Sequence, residues 1–261
     1  MATRVGAIPA EFVSGPARAE CYALLVITFI RHGQAGSRQV YDTLSETGHR
    51  QAGELGEWLA GRGVRFDRVL TGRLNRQRET AVALIRAMSA SGAICPEQES
   101  EAGWDEFDLD AVYAGIGPVL AERDEGFRVE YAALRREMAD PDAAVHRQWR
   151  KCDVTVVRAW IDGVEPAETG FPRESYSSFA GRVHAAFLAL PMTGNVAVVT
   201  SATPIALCAA MALDLTPRRV MQLAGAQHNT GYSEMELRAG EPRLVSFNNT
   251  PHLGPDMKTL R

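Results

Sequence analysis

Nine consecutive positions, Tyr22 to Ile30 (YALLVITFI), are apolar except for Thr28, and they show no alternation between faces. A β-branched and aromatic run that is apolar on both sides is what a strand buried between two helix layers presents. It is predicted as the central strand. FDRVLT (66–71) and NVAVVT (195–200) repeat the pattern more briefly. Between them the period changes to that of helices. Ser45 opens a segment with Ala52, Leu55 and Leu59 on one face, closed by Gly61 and Gly63. A second runs from Leu74 to Ala90, with Leu84, Ile85 and Met88 as its inward stripe and Ser91-Gly92 as its stop.

From about Asp108 to Glu174 no clear strand occurs. DAVYAGIGPVL, FRVEYAALRREM and AAVHRQWRKCDVTVVRAWI carry helical spacing, with breaks expected at Gly117-Pro118 and Asp140-Pro141. This stretch reads as an inserted helical cap. Alternation then resumes with the helix SYSSFAGRVHAAFLAL, the strand NVAVVT and the helix PIALCAAMALDL, Pro204 standing in its first turn. TGYSEMEL and PRLVSFN, joined by Arg-Ala-Gly-Glu, form an edge hairpin. The expected fold is a three-layer α/β/α sandwich with a mostly parallel sheet. Residues 1–20 read as a weakly structured extension, and 21–261 as one domain carrying the cap at about 108–174.

Composition narrows the function classes. With 261 residues, 46% of them apolar, the chain can bury a full core. A net charge of −4 without long runs of one sign gives no footprint for a nucleic-acid backbone. Cys21, Cys95, Cys152 and Cys208 lie far apart, so neither a disulfide framework nor a thiolate metal site is suggested, and a cytoplasmic location is expected. The Tyr22–Ile30 run is too short to span a bilayer. Pro9, Glu11, Pro16 and Glu20 make the preceding segment a poor secretion signal. The expected partner is a small molecule, with neither nucleic acid nor membrane; homodimerisation stays open.

Three predicted strands end in polar residues: the first in Arg31-His32, FDRVLT in a loop reaching Arg76, and NVAVVT in Ser201. Ligands of open α/β sheets sit outside the strand carboxyl ends, where these residues can converge. Two guanidiniums offer paired donors to a tetrahedral dianion. Their charges lower the pKa of a histidine between them, leaving a ring nitrogen free to attack phosphorus.

RHGQA (31–35), LSETGHRQAGELG (44–56) and TGRLNRQRETA (71–81), in that order, resemble the successive motifs of the histidine phosphatase superfamily, which has the phosphoglycerate-mutase-like fold. WDEFD (104–108) resembles its acidic motif and FNNTPHL (247–253) its C-terminal signature. The resemblance implies a phosphomonoesterase with no metal or other cofactor. It makes His32 the phosphorylated nucleophile, Arg31 and Arg76 the phosphate clamps, and Glu106 the general acid and base. Arg73 and Arg78 are expected to be solvated.

The chain departs from the family pattern where a second histidine is usual. VVTSATPI places Ser201 there, as do some relatives of the RHGQA type. Ser201 is expected to donate to a phosphoryl oxygen, or to cap the following helix, or both. A lost preorganised donor costs on the order of 10²–10³ in rate. Two alternatives therefore stand beside the phosphatase: a phospho-ligand binder of little or no activity, and a phosphoglycerate-mutase-type phosphotransferase. Cys152-x5-Arg158 superficially matches the loop of cysteine phosphatases but lacks its glycines.

Overall fold

The computed structural model describes residues 24–36, 42–138, 151–167, 174–238 and 240–260. The expected N-terminal extension and the Asp140-Pro141 break lie outside them. The first strand, β1 (Leu24–Arg31), is followed by α1 (Glu46–Gly61), β2 (Arg68–Thr71) and α2 (Asn75–Ala90). Next come β3 (Gln98–Ser100), a 3₁₀ turn at Ala102–Trp104, and the helices α3 (Leu109–Arg123), α4 (Glu125–Met138) and α5 (Lys151–Ile161). The chain then forms α6 (Tyr176–Leu188), β4 (Gly194–Thr200), α7 (Ala202–Leu213), α8 (Pro217–Ala226), β5 (Tyr232–Arg238) and β6 (Glu241–Asn249).

The six strands lie in the order β3-β2-β4-β1-β5-β6. β1 pairs parallel with β4, and β2 pairs parallel with both β4 and β3. The β5–β6 hairpin joins antiparallel along the other side of β1. Strand pleating sends alternate residues to two cores. Leu25, Ile27, Phe29, Val196 and Val198 pack with Phe179, Val183, Ile205 and Cys208 of α6 and α7, and this core continues into α3–α5. Ile30, Val69, Ala197 and Val199 face Leu55, Leu59, Leu84 and Met88 of α1 and α2. The α/β sandwich is therefore closed on both faces.

Two elements were not expected from the sequence. β3 has three residues, Gln98–Ser100, and is a strand only because β2 offers it an edge. α8 starts on Pro217 and packs Val220 and Ala224 against Ala206 and Ala210 of α7. The expected break at Gly117-Pro118 does not occur, since α3 runs through Pro118 to Arg123. A proline in a helix removes one backbone bond, but here tertiary packing outweighs that loss. Tyr131 of α4 lies where a side chain on Gly117 would stand, and its hydroxyl donates to Tyr113 O at 3.2 Å.

The start of α1 sets the height of the loop after β1. Ser45 caps the helix by accepting from Gly48 N at 3.0 Å, and its hydroxyl reaches Gln34 Oε1 at 2.9 Å. Gly48 lies so close to the Gln34 backbone that a Cβ would collide with its carbonyl oxygen. A Cβ on Gly33 would in turn stand 2.6 Å from Gly48 O. Both atoms belong to backbone, which cannot swing away as a side chain can. Gly48→Ala should therefore cost about 1–3 kcal/mol as an overpacking change. Thermal unfolding should read this as a drop of several degrees, and an unchanged midpoint would refute the close approach.

Candidate active site

β1 delivers Arg31 and His32 to the carboxyl end of the sheet, where three neighbours pin the turn. His32 N donates to Thr200 O at 2.8 Å, Thr230 N to Arg31 O at 3.1 Å, and Asn229 Nδ2 to His32 O at 3.0 Å. Gly33 N donates to Thr80 Oγ1 at 2.9 Å, and that hydroxyl donates to Arg76 O at 2.7 Å. The turn and the first residues of α2 thus share one bracket.

The ring of His32 is buried and its tautomer is fixed by chemistry. Nδ1 lies 2.7 Å from Gly33 O, which can only accept, so Nδ1 carries the hydrogen and Nε2 keeps its lone pair. Arg76 Nε lies 3.3 Å from Nε2. Burial holds the imidazole well below its usual pKa, the charges of Arg76 and Arg31 add to that, and the Gly33 carbonyl opposes it. His32 is accordingly neutral at physiological pH.

Both guanidiniums are anchored from behind. Arg76 Nη1 pairs with Asp42 Oδ1 at 2.9 Å, and Arg31 Nη1 donates to Gln227 O. Gln227 is tied in turn by its Nε2 to Ala202 O at 2.7 Å. Glu106 arrives from the segment after the 3₁₀ turn, and its two flanking aspartates are already engaged. Asp105 receives Arg73 through N, Nε and Nη2 at 2.6–2.9 Å, while Asp108 caps α3 by accepting from Ala111 N at 3.0 Å. Arg73 is exposed, as expected, and its backbone N–H and side chain also meet one carboxylate.

The Glu106 carboxylate accepts from Thr203 N and Phe107 N, each at 3.1 Å. Burial raises its pKa above the usual carboxylate range, against the pull of those N–H groups and of Arg76. Ser201 occupies the N-cap position of α7, yet its side chain makes no capping bond. The Thr203 N–H goes to Glu106, and Ser201 Oγ accepts from Gln77 Nε2 at 2.9 Å.

Arg31, His32, Arg76, Glu106 and Ser201 line one pocket of about 300 Å³, together with Leu74, Leu109 and Leu260. A second cavity of about 390 Å³, walled by Val112, Ile116, Trp160 and Val164, shares Phe107 and Asp108 with it. The sequence reading missed the supporting residues Asp42, Gln77, Thr80, Gln227 and Asn229. Only Gln77 and Thr80 lay within stretches already singled out.

Among the described residues the other histidines stand apart. His49 and His184 are exposed, His228 bonds Asn248, and His252 lies 3.0 Å from Thr230 Oγ1. Cys152 and Arg158 lie within the continuous helix α5 rather than in a loop. Among the described residues no group of three or more His, Cys, Asp or Glu could hold a metal ion, and no helix is long and apolar enough to cross a membrane.

The six-stranded, mostly parallel sheet with helices on both faces is the phosphoglycerate-mutase-like fold. The sequence model of the histidine phosphatase superfamily (branch 1) matches residues 27–145 and 141–250, and the chain belongs to that superfamily. Among solved structures it is similar to a phosphoglycerate mutase from Bacillus anthracis, at a TM-score of 0.57 and 15% identity over 88% of this chain and 96% of that one. It is also similar to a phosphoserine phosphatase mutant from Entamoeba histolytica in complex with phosphoserine, at 0.55 and 17% over 88% and 100%. A mycobacterial glucosyl-3-phosphoglycerate phosphatase aligns at 0.53 and 18% over 87% and 100%. No curated protein sequence matches the chain.

Proposed function

We propose that the protein is a phosphomonoesterase that hydrolyses a small phosphorylated substrate through a phosphohistidine at His32. The observation that carries this reading is the lone pair that a neutral His32 keeps on Nε2, facing Arg76 Nε, in one pocket with Arg31, Arg76, Glu106 and Ser201. A dianionic phosphoryl group takes the inward N–H groups of Arg31 and Arg76 and draws Arg76 away from Nε2. The freed lone pair attacks phosphorus, a P–N bond forms, and the ester P–O bond breaks. Glu106, whose acid form burial favours, gives its proton to the leaving alkoxide.

In the second half-reaction water attacks the phosphohistidine and Glu106 takes its proton. The P–N bond breaks, phosphate leaves, and His32 regains its lone pair. Arg31, Arg76 and Ser201 stabilise the charge that builds on the equatorial oxygens in both steps. The helices α3–α5 and the cavity beside Phe107 give the alcohol part of the substrate its surroundings. The similar phosphatases, one bound to phosphoserine, support a phosphorylated metabolite as the substrate class.

The test is a single incubation with 4-nitrophenyl phosphate followed by an alkaline quench. Turnover together with protein-bound phosphate that is base-stable and acid-labile is the expected outcome. Neither label nor turnover would leave a phospho-ligand binder.

A further inference from the structure

Gln77 follows Arg76 in the first turn of α2 and is fully buried, a costly place for an amide unless its groups are matched. Its Nε2 lies 2.9 Å from Ser201 Oγ, 3.3 Å from Trp104 O and 3.5 Å from Thr200 Oγ1. The identity of that atom as nitrogen follows from its neighbours. Trp104 O can only accept, and Thr200 spends its one hydroxyl hydrogen on the same carbonyl. Both therefore require a donor on the side where the amide sits, and an oxygen there would face two acceptors.

One amide hydrogen goes to the Trp104 and Thr200 oxygens, and the other goes to Ser201 Oγ. The serine oxygen is thereby engaged as an acceptor, and its own hydrogen is left for the pocket that Ser201 lines. Among the described residues Ser201 makes no other side-chain hydrogen bond, and the Thr203 N–H that it would cap is taken by Glu106. The room for the amide comes from Gly72, whose Cβ would collide with Gln77 Oε1 and stand 2.7 Å from Trp104 O. Gln77 Oε1 itself is buried without a hydrogen-bond partner. The fold accepts that loss and keeps the nitrogen on Ser201.

We propose that Gln77 is a positioning residue of this site, aiming the Ser201 hydroxyl so that it donates to a phosphoryl oxygen. The inference rests on the pocket being a phosphoryl site. The polarised Gln77–Ser201 pair then supplies a directed neutral donor at the position where the sequence lacks a second imidazole.

The test uses full-length protein and 4-nitrophenyl phosphate, with Gln77→Met, Gln77→Glu, Ser201→Ala and the double variants, each checked for a native melting curve. Gln77→Met removes the donor, and Gln77→Glu turns the amide into an acceptor that draws the serine hydrogen away. Either should lower kcat by about tenfold or more with KM changed by less than about threefold, as expected for a donor that acts chiefly in the transition state. In the Ser201→Ala background the same changes should move kcat by less than about twofold, because contacting residues are not additive.

Equal losses in both backgrounds would overturn the proposal, as would native kcat in a folded Gln77 variant. A Ser201→Ala kcat within about twofold of wild type overturns it however the Gln77 variants fold. If the wild-type protein shows no turnover, the phosphatase reading fails and this test continues on binding. Inorganic phosphate titrated by calorimetry should then bind more weakly to Gln77→Met than to wild type, with no such difference in the Ser201→Ala background. An equal difference in both backgrounds would sink the assignment.

Discussion

His32→Ala reduces turnover of 4-nitrophenyl phosphate by at least about 10³-fold and eliminates the acid-labile, base-stable phosphate trapped on the wild-type protein. Removing a nucleophile leaves only the binding and electrostatic assistance of the surrounding site. That remainder is still present, since Arg31 and Arg76 are anchored by Gln227 and Asp42 independently of the imidazole. Inorganic phosphate should therefore continue to bind the variant in a calorimetric titration. A variant that keeps turnover, or a label that survives the substitution, would remove His32 from the chemistry.

Glu106→Gln has the second largest expected effect, and it depends on the leaving group. An alkyl phosphate expels a strongly basic alkoxide and needs the proton, so its kcat/KM should fall by about 10²–10⁴. The nitrophenolate of an aryl ester leaves without assistance, and its P–O cleavage should be much less affected. The pH dependence follows with its sign fixed. The acid form of Glu106 starts the reaction, and burial raises the pH at which that form is lost. Wild-type kcat/KM on an alkyl phosphate should fall as pH rises through that shifted pKa, and the variant should lack this alkaline limb. His32 titrates below the usual imidazole range, so the opposite limb, where it becomes protonated, lies further to the acid side. Equal losses on both substrates with an unchanged pH profile would show Glu106 to be structural.

The long periodic segments were legible because their pattern reports the burial that makes them fold. β1, β4, α1 and α2 carry their two-sided or one-sided apolar faces in the sequence itself. β3 was not legible: Gln98-Glu99-Ser100 holds no apolar residue, and its strand character is lent by the edge of β2. Pro118 misled for a related reason, since the packing of Tyr131 on Gly117 comes from another helix.

At the site the strand-end residues Arg31 and His32 stood out by position, while their supports did not. Arg31 and Gln227 are separated by 196 positions, and nothing local marks the glutamine as a partner. The capping of Thr203 by Glu106 joins residues 97 positions apart and decides a question the sequence left open at Ser201. Gln77 was hidden next to Arg76, where the charged neighbour draws attention and the buried amide leaves no pattern.

Met257 and Thr259 lie against the back of the Arg31-His32-Gly33 turn. Gln51 Nε2 donates to Met257 O at 2.7 Å and to Thr259 Oγ1 at 2.9 Å, while its Oε1 receives Gln34 N at 2.9 Å. Asn229, which holds His32 O, is itself held by Thr259 through both backbone and side chain. Leu260 then reaches the pocket wall. Thr259 thus braces the turn from two sides at once, so Thr259→Val, which removes the hydroxyl at nearly constant shape, would slacken both Gln51 and Asn229 behind His32 without touching any pocket residue.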